Sequence, residues 1–271
     1  MRAWLLAAAV LVSACSAAGP QDQTTAVATL ASATPSPQPT PSPSPTLPPA
    51  DKLLGDSYTA MQRITSVKTT TSLKGTRRSY DATLGLRSAE SAVTGAAVFQ
   101  ASADRKTDAY QSDLTQISDP PRSQTIVIGT ELFSKLDRLP DPAHGLAGGS
   151  YPWSGPVLQR QPYLFPSETF GQFDGFPSSD PAVKQAPPTT EGIVQRGATA
   201  TYKVTSAGSL VDFGQPLLRG SYAVTVWIAV DSLLWTRWER SKVYGDGQRF
   251  DESQDYADYN VPNVITRPPT K

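Results

Sequence analysis

Few residues in this chain are of types that do chemistry, and their spacing narrows what that chemistry is. The 271 residues hold one cysteine, Cys15, and one histidine, His144. A lone cysteine cannot form an internal disulfide, so its use must be another one. His144 stands in Asp141-Pro-Ala-His-Gly145, a Pro/Gly-rich setting that suits a surface residue. Nucleophilic catalysis of the triad type needs a histidine base, and no Gly-x-Ser-x-Gly elbow presents a serine. Zinc needs several His or Cys ligands. Phosphate loops and dinucleotide fingerprints are absent. Asp212-Phe-Gly214 matches a kinase magnesium triplet by letters only. Asp251, Glu252 and Asp255 suit a weak calcium site or a glycosidase-like carboxylate pair, or else the solvated face of an exposed strand. The expectation is no catalysis, no metal and no cofactor.

Cys15 has the most informative surroundings. Arg2 supplies a minimal positive end, and residues 3–12 are uninterruptedly apolar. Ten residues fit the apolar core of a signal peptide and fall short of the roughly 20 needed to span a bilayer as a helix. No other run approaches that length, so no retained transmembrane helix is predicted. Val12-Ser13-Ala14-Cys15 resembles the lipobox of bacterial lipoproteins. The resemblance implies diacylglycerol on the Cys15 sulfur, cleavage between Ala14 and Cys15, and acyl chains such as palmitate. It also implies attachment to the extracytoplasmic face of the cell membrane. The alternative is an ordinary signal peptide cleaved within Ala14-Cys15-Ser16-Ala17. One acyl chain binds a membrane marginally, whereas two or more hold firmly.

The chain then divides into a signal peptide (1–14), a lipidated cysteine with a stalk (15–50) and a folded domain (51–271). In the stalk, prolines fall at 35, 37, 39, 41, 43, 45, 48 and 49 among Ser and Thr. Each proline fixes its own φ and pushes the residue before it toward extended geometry. This disordered linker is therefore a semi-rigid polyproline II spacer reaching roughly 50 Å. A proline-rich ligand for a peptide-binding module is the competing reading. Arg2 and Asp22 are the only charges before residue 51, so each total of 24 falls by one to 23 in the domain. Such balance excludes nucleic acid as a partner and gives no pull toward anionic headgroups.

The domain opens with helical spacing of Leu54, Tyr58, Met61 and Ile64, predicting a helix over about 51–65. Strands are expected over 69–73, ended by Gly75, and over 80–86, 93–101, 107–114, 123–128 and 131–136. Gly129-Thr130 makes a hairpin turn. Residues 139–190 interleave ten prolines with Tyr151, Trp153, Tyr163, Phe165, Phe170, Phe173 and Phe176. Burying each ring is worth about 1.5–3 kcal/mol, so this segment is expected to pack over a face or mouth of the sheet, as a core cap or a lid. Hairpins follow around Gly197, Asp231-Ser232 and 244–248, with a last strand over 264–266. Simple alternation places Tyr222, Val224, Val226, Ile228 and Val230 on one face, and sets Leu234, Thr236 and Trp238 against Trp235, Arg237 and Glu239. Tyr58, Trp153, Tyr163, Phe165, Phe170, Tyr222, Trp227, Trp235, Trp238 and Tyr256 are the candidate cavity or core aromatics.

The order of these pieces resembles the LolA-like lipoproteins, including the LprG and LppX type of mycobacterial envelopes. The resemblance rests on the helix-to-strand opening at 51–75, Arg122-Ser-Gln-Thr-Ile-Val-Ile-Gly129 with Glu131-Leu-Phe-Ser134, and Thr201-Tyr-Lys-Val204 after Gly197. Val224-Thr-Val-Trp-Ile-Ala-Val-Asp231 with Trp235-Thr-Arg-Trp238, and Tyr256-Ala-Asp-Tyr-Asn-Val-Pro262, complete it. It implies an α+β fold, mainly antiparallel β: a half-open curved barrel with an N-terminal helix and a Pro/aromatic-rich covering segment. It also implies a groove for the acyl chains of lipids or glycolipids, in storage or transfer across the envelope. The departure from the pattern is residues 151–188, too rich in proline for the long helices of that family's insertion. The alternative is a non-catalytic interaction or sensory lipoprotein on the same fold without a cavity, its protein partner unknown.

Overall fold

A computed structural model describes residues 46–103, 108–117, 120–160, 183–211 and 214–269. The compact unit spans Pro45–Lys271. Among the described residues one α-helix, α1 (Ala50–Met61), precedes thirteen strands in a single antiparallel sheet. Pro48 and Pro49 lead into the helix, and Asp51 sits in its first turn, where a carboxylate complements the helix dipole. Its buried stripe is Leu53, Leu54, Ser57 and Met61. The helix ends four residues earlier than its apolar spacing suggests, and Ile64 is buried from the connection beyond it.

The strands form two meanders. β1 (Ser66–Asp81), β2 (Gly85–Gln100), β3 (Ala109–Gln116), β4 (Arg122–Ile128) and β5 (Glu131–Arg138) run outward in sequence order. Short β6 (Gly149–Ser150) and β7 (Ser154–Leu158) pair with β5. On the other side, β8 (Val183–Gln185) and β9 (Thr189–Arg196) pair with β10 (Thr199–Leu210). β11 (Gly220–Ala229), β12 (Trp235–Tyr244) and β13 (Arg249–Ala257) follow, and β13 pairs with β1 to join the two halves. Among the described residues the outer strands do not pair with each other, and the sheet is half-open. This is the half-open, mainly antiparallel architecture with an N-terminal helix that the sequence implies.

Several local expectations are corrected. Gly75 does not end β1. Its φ is 121°, and a β-carbon there would lie 2.0 Å from the Arg249 carbonyl, so glycine lets the β13 backbone come close. Residues 82–84 are a turn, not strand: Asp81 Oδ1 accepts the Thr83 and Leu84 amides at 2.8 and 2.9 Å. Residues 264–266 are not a strand either, and Val264 is 87% exposed. The tail instead crosses strand ends, with Asn260 N–H donating to Ser66 O, Asn263 N–H to Gln100 Oε1, and Arg267 pairing Glu131. Neighbouring prolines have no N–H to give a ladder. In 139–190, the described parts add β6, β7 and β8 to sheet margins and one 3-10 turn at Pro142–His144. Residues 161–182 lie outside the described residues, and with them Tyr163, Phe165 and Phe170.

The largest correction concerns β12. Trp227 faces Arg237 and Ile228 faces Trp235, so Thr236 is an extra residue with no partner in the register. The bulge puts Trp235 and Trp238 on the same face although they are three apart, where strict alternation separates them. Both are core, 0% and 2% exposed.

Candidate ligand cavity

The inward face of the sheet has two ends with different contents. At the helix end it is filled. Tyr58 meets Trp235 edge to face at 5.6 Å, and Trp235 meets Tyr256 likewise at 6.0 Å. The Trp235 indole N–H donates to Ser57 Oγ at 2.6 Å inside the core. Tyr259 O–H donates to the Trp235 carbonyl, and Tyr256 O–H to Gln254 Oε1 at 2.9 Å. Burial holds the Tyr256 and Tyr259 phenols well above the usual range, so both stay neutral donors. Tyr222, Val224, Val226 and Trp238 continue this packed region.

The other end lies beyond the reach of the helix for a reason of length. A 12-residue helix is about 18 Å long at 1.5 Å per residue. The 16-residue strands β1 and β2 run about 50 Å at roughly 3.3 Å per residue. One helix cannot cover that face. Beyond it lies a cavity of about 440 Å³, within the usual range for small-ligand sites. Leu73, Leu210, Leu218, Tyr244 and Phe250 supply apolar wall. Arg77, Arg78, Arg240, Lys242 and Glu252 supply charge. Arg240 pairs with Glu252 and lies 5.3 Å from the Trp238 ring; Lys242 lies 6.0 Å from the Tyr222 ring. These cations sit on packed aromatic faces, which hold them in place.

The remaining residues singled out from the sequence fall elsewhere. Trp227 is on the opposite face, with the Arg196 guanidinium 4.9 Å from its ring. Trp153 is half-buried just before β7, outside the core cluster. Ala14 and Cys15 lie outside the described residues, and so do Asp212 and Phe213. The three carboxylates of β13 do not converge. Asp251 is bonded by Arg249 at 2.6 Å, Asp255 by Arg237 at 2.5 Å, and Glu252 by Arg240 toward the opposite side of the strand. Among the described residues no cluster of potential metal ligands occurs. A second hollow of about 500 Å³ lies where Ser72, Lys74, Thr225, Arg237, Glu239 and Asp251 meet, and its lining is mainly polar.

The basic rim of the cavity went unread in the sequence, although a signal existed. Arg240 and Lys242 occupy positions of β12 whose register partners, Val224 and Tyr222, are core. A charge at an inward position of a strand is more informative than any exposed charge.

No family model matches the chain, and no curated protein matches it. Among solved structures, LprF from Mycobacterium bovis is 14% identical with a TM-score of 0.44, covering 82% of this chain and 97% of that one. Lipoprotein LppX from Mycobacterium tuberculosis is 18% identical with a TM-score of 0.40, covering 79% of this chain and 97% of that one. The chain is similar to these lipoproteins in outline. LppX is of the type that the sequence resembles. Among the described residues, no helix is long and apolar enough to cross a membrane.

Proposed function

We propose that this chain is a lipid-anchored envelope protein that binds the acyl chains of a lipid or glycolipid at the end of its half-open sheet beyond the helix, without catalysis. The observation that supports it is the cavity between Leu73, Leu210, Tyr244 and Phe250. An acyl chain leaving water for such walls gains about 0.8 kcal/mol per buried CH₂. The packed aromatic end does not take part; it holds the sheet curved while the far end stays accessible. In this reading diacylglyceryl-Cys15 keeps the protein at its lipid source and the proline-rich stalk sets its reach.

The test is purification of the full chain from envelope membranes, followed by solvent extraction and mass spectrometry. Co-purifying lipid in near-stoichiometric amount is the expected result. A chain that carries no lipid and takes up no acyl probe, yet cross-links to one protein partner, would replace carriage with the interaction role.

A further inference from the structure

The hairpin of β1 and β2 outruns its neighbours. β13 pairs with β1 only as far as Gly75, and β3 pairs with β2 only from Val93 on. Thr76–Asp81 and Gly85–Glu90 therefore pair with each other and, among the described residues, with no third strand. That length of ribbon is about 20 Å at roughly 3.3 Å per residue. A two-stranded ribbon is marginal in water by itself. This one is braced at its root: the Arg78 N–H donates to the Tyr244 hydroxyl at 3.1 Å, and the Arg78 guanidinium pairs with Asp246. Beyond the brace the ribbon carries apolar side chains into water, Tyr80 at 46% and Leu84 at 59% exposed. Asp81 fixes the turn between them by accepting two of its amides. A third exposed apolar residue lies at this end of the sheet. Leu217 sits in the 3-10 turn Pro216–Leu218, and a β-carbon on Gly245 would lie 3.2 Å from the Pro216 carbonyl. That turn thus packs on the β12–β13 connection that holds Asp246. Tyr80 and Leu218 also line the cavity, so these exposed tips frame its mouth.

We infer that this end is a membrane-docking element: Tyr80, Leu84 and Leu217 enter the interface of the bilayer that holds the anchor, and seat the cavity mouth against it. This rests on the lipid-anchored, acyl-binding reading and adds the contact through which an acyl chain passes. The residue types favour a bilayer over a protein. A tyrosine ring suits headgroup depth, and arginine stems reach along apolar surface while the guanidinium stays wet. Arg77 and Arg87 are both exposed and share one face of the ribbon, Arg77 opposite Ala89 and Arg87 opposite Ser79. The Asp81 carboxylate is engaged by its own turn. Three side chains cannot approach the roughly 800 Å² per partner of a stable protein interface. They suffice for a tethered domain, because a stalk reaching roughly 50 Å holds the tip at high effective concentration beside the surface. The balanced charge of the domain makes this contact apolar, so it needs no anionic lipid.

The full chain, extracted from envelope membranes, is prepared with Thr83→Cys in the hairpin turn or, as control, with Val264→Cys in the exposed tail. Each new thiol carries an environment-sensitive dye; an acylated Cys15 takes none. The chains enter phosphatidylcholine vesicles with or without a nitroxide high on the lipid acyl chain. The dye at position 83 should emit to the blue and be quenched severalfold more than the dye at 264, which keeps its aqueous emission. Tyr80→Ser with Leu84→Ser should return the dye at 83 to aqueous emission without moving the urea midpoint, since both side chains are exposed. Aqueous emission at both positions, with the chain still floating with the vesicles, overturns the docking tip and leaves the anchor standing. A chain that does not float, and whose Cys15 takes the dye, overturns the anchor and the tip together. A blue shift at 83 in the Cys15→Ser chain without vesicles would mean that a second copy covers the tip, and overturns the bilayer as its occupant.

Discussion

Ser57 shows how one polar atom organises the packed end of the molecule. Its hydroxyl is fully buried and accepts the indole N–H of Trp235, one of the two tryptophans in the core cluster. The pair ties the helix to β12 across 178 residues of sequence. Ser57→Ala takes away that acceptor deep in the core, and should destabilise the fold by about 1–3 kcal/mol. Urea unfolding followed by tryptophan fluorescence reads the loss, and an unchanged midpoint would show that the bond contributes nothing. Little of this was legible beforehand. Ser57 is an unremarkable helix residue by type, and only the docking of the helix decides that it meets an indole.

At the scale of the element, the β12 bulge sets the composition of the core. Thr236 is the residue without a partner, and its hydroxyl bonds the Trp227 carbonyl at 3.3 Å. Deleting Thr236 leaves Trp235 and Trp238 two apart, still on one face. The deletion should therefore cost less than Trp235→Ala, for which about 3–5 kcal/mol is expected. Near-UV circular dichroism and urea melts on the two variants decide this; equal losses would mean that the bulge itself is required.

Cross-strand ion pairs give the sheet a pH signature. Asp113 receives two bonds from Arg122, which hold its carboxyl below the usual range, and Glu191 is lowered by Lys203 and Thr205. For a carboxylate lowered in the fold, stability is complete above the unfolded value, about 3.9 for Asp and 4.3 for Glu, and is lost as pH falls through the folded value. Thermal melts should be flat from pH 7 to about 5 in this contribution and decline below about 4. Both pairs are exposed, so solvent screening keeps each contribution small. Arg122→Gln should make the acid limb shallower; an identical limb would remove Asp113 from the account.

At the scale of the whole molecule, the mismatch between one short helix and two very long strands creates the site. The helix seals one end of the inward face around Trp235, and the cavity occupies the end it cannot reach. The anchor belongs to this scale too. In our proposal the chain sediments with membranes, and Cys15→Ser moves it to the soluble envelope fraction. Equal retention of both in the pellet would remove the acyl anchor from the proposal and leave the folded domain untouched.

Local patterns alone determined the antiparallel class, the opening helix, the hairpins at Gly129 and Gly197 and the inward set Tyr222, Val224, Val226 and Ile228. Alternation and turn chemistry act between near neighbours, so they can be read along the chain. The bulge at Thr236, the close approach at Gly75 and the meeting of Arg77 and Arg78 with Leu210 and Phe250 were decided only by the tertiary structure. Each depends on which strand lies beside which, and the β1–β13 pairing that brings the cavity walls together joins residues almost two hundred positions apart.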